Sequence, residues 1–308
     1  MTSKVAFSTT LGMIAAAVVL VVAFHMVVDP YGLFHDMKGQ QRSVVMNERI
    51  EKHLLSYNYV PANFNALMIG PSLSDNLDTS LLTRYRVYNL SLNAGNATEI
   101  KVVLDSALNH GRFDALIICL HPYLTKDHGL KTSALTEQDI YSSLGSLDSF
   151  KYFVRRISMH LAHDPGMNTP WGQFKYHQQK KHRSVAEMIA EEVKKAPTNR
   201  VNPQPEALAD LAAIIQRAHQ EHIKVFAYFH PTPYPVFMAY QEDYLAFKQA
   251  ALSLLTKDDV VWDYLDEAHR SFTEDLANYH DHQHLSAQGV ATIVADIQKH
   301  MEGAWAKP

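Results

Sequence analysis

The sequence predicts an α/β fold, a mainly parallel sheet flanked by helices, preceded by an N-terminal transmembrane helix and interrupted by a largely helical insertion. Three observations carry this prediction. Short apolar runs at 66–69, 87–90, 115–120, 225–229 and 260–262 alternate with longer segments of helical periodicity, and apolar strands separated by helices build parallel sheets that are buried on both faces. The first 28 residues hold one long apolar stretch, and a polar, His- and Lys-rich interval at about 122–205 breaks the alternation.

Residues 5–28, VAFSTTLGMIAAAVVLVVAFHMVV, carry His25 as their sole ionisable side chain. They are long enough to cross a hydrocarbon core of roughly 30 Å. A cleavable signal peptide is the competing reading. Such signals have an apolar region of about 7–15 residues and a small-residue cleavage site, whereas Phe24-His25-Met26-Val27-Val28-Asp29-Pro30 lacks that spacing. We therefore read an uncleaved single-pass anchor. Lys4 precedes it and Asp29 follows it, so the positive-inside rule leaves the N-terminus in the cytoplasm. The main domain is then expected to be periplasmic or extracellular, tethered to the inner (cytoplasmic) membrane.

Residues 29–46, with Pro30, Gly32 and Gly39, read as a juxtamembrane connection, and 47–308 as the main domain. Helical patterns at 97–109, 207–222 and 243–255 fall between the apolar runs. At 286–300, Val290, Ile293, Val294 and Ile297 share one face, which predicts a final helix packed on the sheet. Inside the insertion, Ser184-Val185-Ala186-Glu187 has capping-box spacing and predicts a helix start. The insertion reads either as a cover over the sheet's functional edge or as a solvated excursion.

Composition narrows the function classes. Over 308 residues the net charge is -4 with histidines neutral, so nothing marks a nucleic-acid-binding surface. The 18 histidines make the charge sensitive to mildly acidic pH. Cys119 is the lone cysteine, which excludes a disulfide within the chain and a Cys-based metal site. Its setting, Leu116-Ile117-Ile118-Cys119-Leu120, predicts a small buried hydrophobe.

The chemistry-bearing stretch is Ile69-Gly70-Pro71-Ser72-Leu73-Ser74-Asp75-Asn76. Taken alone, Ser72 is a helix cap after a Gly-Pro turn. A hydroxyl becomes a nucleophile only beside a base and an oxyanion site. Three further stretches supply candidates. The loop Leu92-Asn93-Ala94-Gly95-Asn96 follows a strand, and its glycine permits close backbone approach to a negative oxygen. Asp281 and His284, in His280-Asp281-His282-Gln283-His284, are three apart, so one loop can deliver a base and the carboxylate that orients it. Leu120-His121-Pro122 ends a predicted central strand, a position from which side chains enter an α/β cleft.

In this order the blocks resemble the SGNH/GDSL hydrolase superfamily over about 47–301. Gly70-Pro71-Ser72-Leu73-Ser74 is similar to its first block, with Pro in place of the usual Asp, while Gly95 fits the second and Asp281-His282-Gln283-His284 the last. The resemblance implies Ser72 as nucleophile, His284 as general base and Asp281 as its orienter, with the backbone amides of Ser72 and Gly95 as oxyanion donors. The third block normally contributes an Asn, but the matching strand end here reads Cys119-Leu120-His121-Pro122. His121, Asn93 and Asn96 are the candidate replacements, and losing one oxyanion donor costs about 2.7–4 kcal/mol in the transition state. Asp29-Pro30-Tyr31-Gly32-Leu33-Phe34 and Asn47-Glu48-Arg49-Ile50-Glu51-Lys52 are similar to stretches in membrane-anchored members that accompany polysaccharide O-acyltransferases.

The resemblance therefore implies a serine-dependent O-acyltransferase or esterase acting on an extracellular or cell-envelope polysaccharide. An integral-membrane O-acyltransferase or a secretion-complex subunit is its implied partner, and no cofactor is implied. The rival is a catalytically inactive binding or assembly subunit of such a complex, motivated by Pro71 and the missing third-block Asn. A further alternative is metal binding by His280, His282 and His284, but no other segment offers a complementary ligand pair. His230 reads as cleft-lining or as an ordinary loop histidine. The basic run at 175–183, which includes Tyr176, reads as a solvated helix face or as a contact for an anionic glycan or headgroup.

Overall fold

A computed structural model describes residues 3–126, 143, 146–200 and 203–305. Its centre is a five-stranded, wholly parallel sheet of order β2-β1-β3-β4-β5. The strands are β1 (Ala66–Ile69), β2 (Val87–Asn89), β3 (Ala115–Leu120), β4 (Lys224–Phe229) and β5 (Val260–Asp263). The helices, in chain order, are α1 (Ser3–Val28), α2 (Glu48–Leu55), α3 (Tyr59–Asn63), α4 (Ser72–Asp75), α5 (Ala97–His110) and α6 (Leu147–Leu161). They continue with α7 (Val185–Lys195), α8 (Pro205–Gln220), α9 (Tyr234–Ala239), α10 (Gln241–Leu252), α11 (Arg270–Glu274) and α12 (Ala287–Ala304).

The continuous apolar runs become strands because helices cover both faces. Leu67 and Ile69 of β1 pack with Val103 and Leu104 of α5 and Ile214 of α8. Ala66 and Met68, pointing the other way, pack with Ile293, Val294 and Ile297 of α12. Cys119 lies fully buried in this second layer, as its apolar setting predicts, and burial pushes its thiol up to about 12. The chain leaves β1 toward β2 on one side and β3 on the other. That reversal opens a crevice at the carboxyl ends of β1 and β3, where doubly wound folds bind their ligands.

Several predicted starts are visible as caps. Ser184 and Glu187 form the reciprocal capping box of α7, and Asn96 and Glu99 form another on α5. Residues 29–46 are fastened to the body. The Asp29 carboxylate accepts the N–H groups of Leu33, Phe34 and His35, and Asn63 bonds Gly39 and Met37.

Residues 168–178, between β3 and α8, cross the carboxyl edge of the sheet. The Asn89 N–H donates to the Trp171 carbonyl at 2.8 Å, and Phe174 N–H to the Asp75 carbonyl at 2.9 Å. Gly172, at φ 83°, permits this approach, because a Cβ there would sit 2.3 Å from the Asn89 oxygen. The run at 175–183 departs from the helix-face expectation: only Tyr176–Gln178 turns, as a 3-10 segment, and Tyr176 is buried. The ring of Tyr176 is held by Phe174 and His284 rather than by a helix ladder.

The N-terminal helix α1 is long and apolar enough to cross a membrane, and its apolar side chains are largely exposed.

Candidate active site

Ser72 opens α4 directly after β1, at the mouth of the crevice. Gly70 makes this placement possible, because a Cβ there would lie 2.2 Å from Ser74 Oγ and 2.6 Å from Cys119 Cβ. As the first residue of the helix, Ser72 has an N–H outside the helical ladder.

The base arrives from the other end of the chain. The loop before α12 closes on itself, with His280 N–H donating to the His284 carbonyl at 2.7 Å and Tyr279 bridging Leu285. Asp281 Oδ1 accepts the N–H groups of Gln283 and His284 at 2.8 and 2.7 Å, which fixes the turn. Its Oδ2 meets His284 Nδ1 at 2.7 Å, and His284 Nε2 meets Ser72 Oγ at 3.0 Å. A carboxylate only accepts, so Nδ1 carries the proton and Nε2 faces the serine with a lone pair. Burial alone would raise the Asp281 carboxyl. The hydrogen bond and charge of His284, with the two backbone donors, outweigh it and hold the group well below the usual carboxylate range.

Three residues that the motifs did not single out lock this pairing. Asn76, which caps the end of α4, donates from Nδ2 to the Leu285 carbonyl at 2.7 Å and so ties the helix of Ser72 to the loop of His284. Gln173 in turn donates to the Asn76 carbonyl at 3.0 Å. Tyr176 stacks on His284 with centroids 4.1 Å apart. Beneath α4, Lys52 Nζ lies fully buried between Asp75 at 2.7 Å and Glu48 at 3.0 Å.

The remaining candidates are engaged elsewhere. The Gly95 N–H, expected to face a substrate oxygen, donates to the Leu92 carbonyl at 3.0 Å. Asn96 is spent on its cap, with Oδ1 accepting from Glu99 and Nδ2 donating to the Lys126 carbonyl. Asn93 is exposed, and its backbone ties to Glu48 and Arg49. His121 Nδ1 accepts the Tyr123 N–H, which makes Nε2 the donor to the Tyr244 hydroxyl at 2.7 Å.

His230 is fully buried. Burial, with the charge of His284, pushes it down to about 3. Among the described residues no three His, Cys, Asp or Glu side chains converge as a metal-ligand set, so His280, His282 and His284 do not form one. A pocket lies beside the base loop, lined among others by His121, Tyr123, Glu192, Tyr240, Tyr244 and His282.

No family model and no curated protein matches the chain. A solved structure described as "a putative platelet activating factor from Streptococcus pneumonia" is similar at a TM-score of 0.45 and 14% identity, over 83% of this chain and 90% of that one.

Proposed function

We propose that the chain is a membrane-anchored, serine-dependent acyl-transfer protein of the SGNH type, an O-acyltransferase or esterase of the cell envelope. The observation that carries the reading is the hydrogen-bonded series Ser72, His284, Asp281 at the sheet's switch point. His284 Nε2 takes the Ser72 proton as Oγ attacks an acyl carbonyl, and the imidazolium is held by Asp281. The Ser72 N–H is the first oxyanion donor. The imidazolium gives that proton to the departing donor group as the acyl passes to Ser72 as an ester; neutral again, His284 deprotonates a sugar hydroxyl or water, which attacks the ester carbonyl, and the proton returns to Ser72 Oγ as the ester breaks. A polysaccharide acceptor and an integral-membrane acyl-donating partner follow from the sequence resemblance.

The second reading, a silent binding subunit, draws on two observations. The Gly95 N–H is occupied, and Ser72 and His284 are only 6% and 7% exposed beneath Tyr176. One experiment separates the two. The full chain in detergent micelles is treated with a fluorophosphonate probe, and adduct formation is mapped by mass spectrometry. Labelling at Ser72, lost in Ser72→Ala and in His284→Ala, supports catalysis. An unlabelled wild-type chain supports the silent subunit.

A further inference from the structure

Helix α6 has two apolar faces, and only one of them is used. Tyr152 and Ser149 are buried, and Tyr152 packs on Tyr31 and Leu54 of the body. Leu147, Phe150, Val154, Ile157 and Leu161 are all exposed, Leu147 at 77% and Leu161 at 73%. Their spacing, steps of three and four, places them on one stripe, which at 1.5 Å per residue is about 21 Å long.

The position of this stripe identifies its occupant. Phe153, next to the stripe on the helix surface, meets Phe24 of α1 edge to face at 5.4 Å. The Tyr31 ring, three residues beyond the end of α1, lies 5.0 Å from Tyr152. The middle of the stripe therefore lies beside the end of α1. Lys151 and Arg155, both exposed, border it on the side away from Phe153, where cations meet anionic headgroups. Arg156 turns inward and bonds the Tyr152 hydroxyl.

We propose that α6 lies in the membrane interface beside the anchor, its stripe in the acyl region and Lys151 and Arg155 among anionic headgroups. This rests on reading α1 as a membrane span. A helix of this kind sinks its apolar face roughly 5–10 Å into the boundary. With α1 it fixes the body at two points, so the crevice at the sheet's carboxyl edge is held at a set tilt above the bilayer.

The test uses the full chain in nanodiscs of phosphatidylethanolamine and phosphatidylglycerol. Single cysteines carry an environment-sensitive NBD label at Phe150→Cys, Ile157→Cys, Val18→Cys in α1 and Lys257→Cys on the far loop; native Cys119 is buried and does not react. The expected result is blue-shifted emission, quenched by doxyl-labelled lipid, at 18, 150 and 157, with neither effect at 257. Quenching at 18 without quenching at 150 and 157 overturns the proposal and leaves the anchor standing. Blue-shifted emission at 150 and 157 that doxyl lipid does not quench identifies a protein occupant, either a second copy or a partner, and overturns it equally. Absence of quenching at 18 removes the anchor and the proposal with it.

Discussion

The ring of Tyr176 lies flat against that of His284, with centroids 4.1 Å apart and planes within 10°. Burial pushes the Tyr176 hydroxyl well above its ordinary range, so the ring stays neutral and presents an electron-rich face. In the proposed mechanism, the imidazolium formed when His284 takes the Ser72 proton rests on that face, a contact worth about 0.5–2 kcal/mol.

Tyr176→Ala is therefore expected to slow fluorophosphonate labelling of Ser72 by about 2- to 30-fold, the rate equivalent of that contact. Tyr176→Phe keeps the stack and is expected to label at close to the wild-type rate. Faster labelling of the Ala variant would show that the ring acts as a cover and not as a support for the base.

Asp281→Asn tests the orienting carboxylate. The amide oxygen can still accept from Gln283 and His284 N–H, so the turn and the fold are expected to persist. The other position, however, now presents an NH2 group to His284 Nδ1, which forces the wrong tautomer. Ester turnover is expected to fall on the order of 10,000-fold, with the chain still folded but its thermal midpoint lowered by loss of the ionised carboxylate's contribution. Because Asp281 is held below its ordinary pKa, its stabilising contribution is present above the unfolded value and is lost only as pH falls through the folded one. The carboxylate thus stays ionised through the neutral range. Undiminished turnover in Asp281→Asn would remove Asp281 from the mechanism.

The sheet and the Asp281–His284 pair were legible because they depend on local signals, whereas the contact of His284 with Ser72, 212 residues away in the chain, was expected from the resemblance. The apolar runs at 66–69 and 115–120 coincide with β1 and β3 to the residue, since a strand covered on both faces needs no alternation. Asp281 and His284 meet within one loop, so their spacing in sequence already constrains their spacing in space. The oxyanion candidates were harder to read. Gly95 has the right residue type, but which way its N–H points depends on the turn around Ala94, whose φ is 50°. Tyr176 stood inside a basic run whose charge masked one buried aromatic. Its partner is 108 residues away in the chain (284 − 176), and no local pattern encodes that contact. The exposed stripe of α6 was concealed for the opposite reason, because amphipathic spacing ordinarily marks a face turned toward the core.

Lys52 is the cation beneath the nucleophile's helix. Burial alone would lower its pKa, but Asp75 and Glu48 reverse that and keep it charged. Its third contact is the Ser91 carbonyl at 2.5 Å, on the segment after β2. Lys52→Met leaves two carboxylates facing each other without their shared cation, a loss of about 3–5 kcal/mol for a broken buried pair. The variant is expected to unfold at markedly lower urea, while a double variant, Lys52→Met with Asp75→Asn, recovers part of the loss. A single variant as stable as wild type would show that the pair is dispensable.

His230 is expected to weaken the fold in acid. Its pKa falls from 6.5 in the unfolded chain to about 3 in the buried site, so the folded state holds the neutral imidazole while the unfolded chain binds a proton below 6.5. A depressed folded pKa gives a contribution that is full above 6.5 and declines as pH falls toward 3. The slope is about 1.4 kcal/mol per pH unit. Between pH 7 and pH 5 the loss from this group alone is thus about 2 kcal/mol. His230→Asn and His230→Leu carry no titrating ring, so whatever their stability at pH 7, the difference between their pH 7 and pH 5 unfolding free energies should be smaller than wild type by about that amount. Urea unfolding of the full chain in micelles at the two pH values measures it. Equal pH dependence in wild type and both variants would show that His230 remains protonated, or water-accessible, in the folded state.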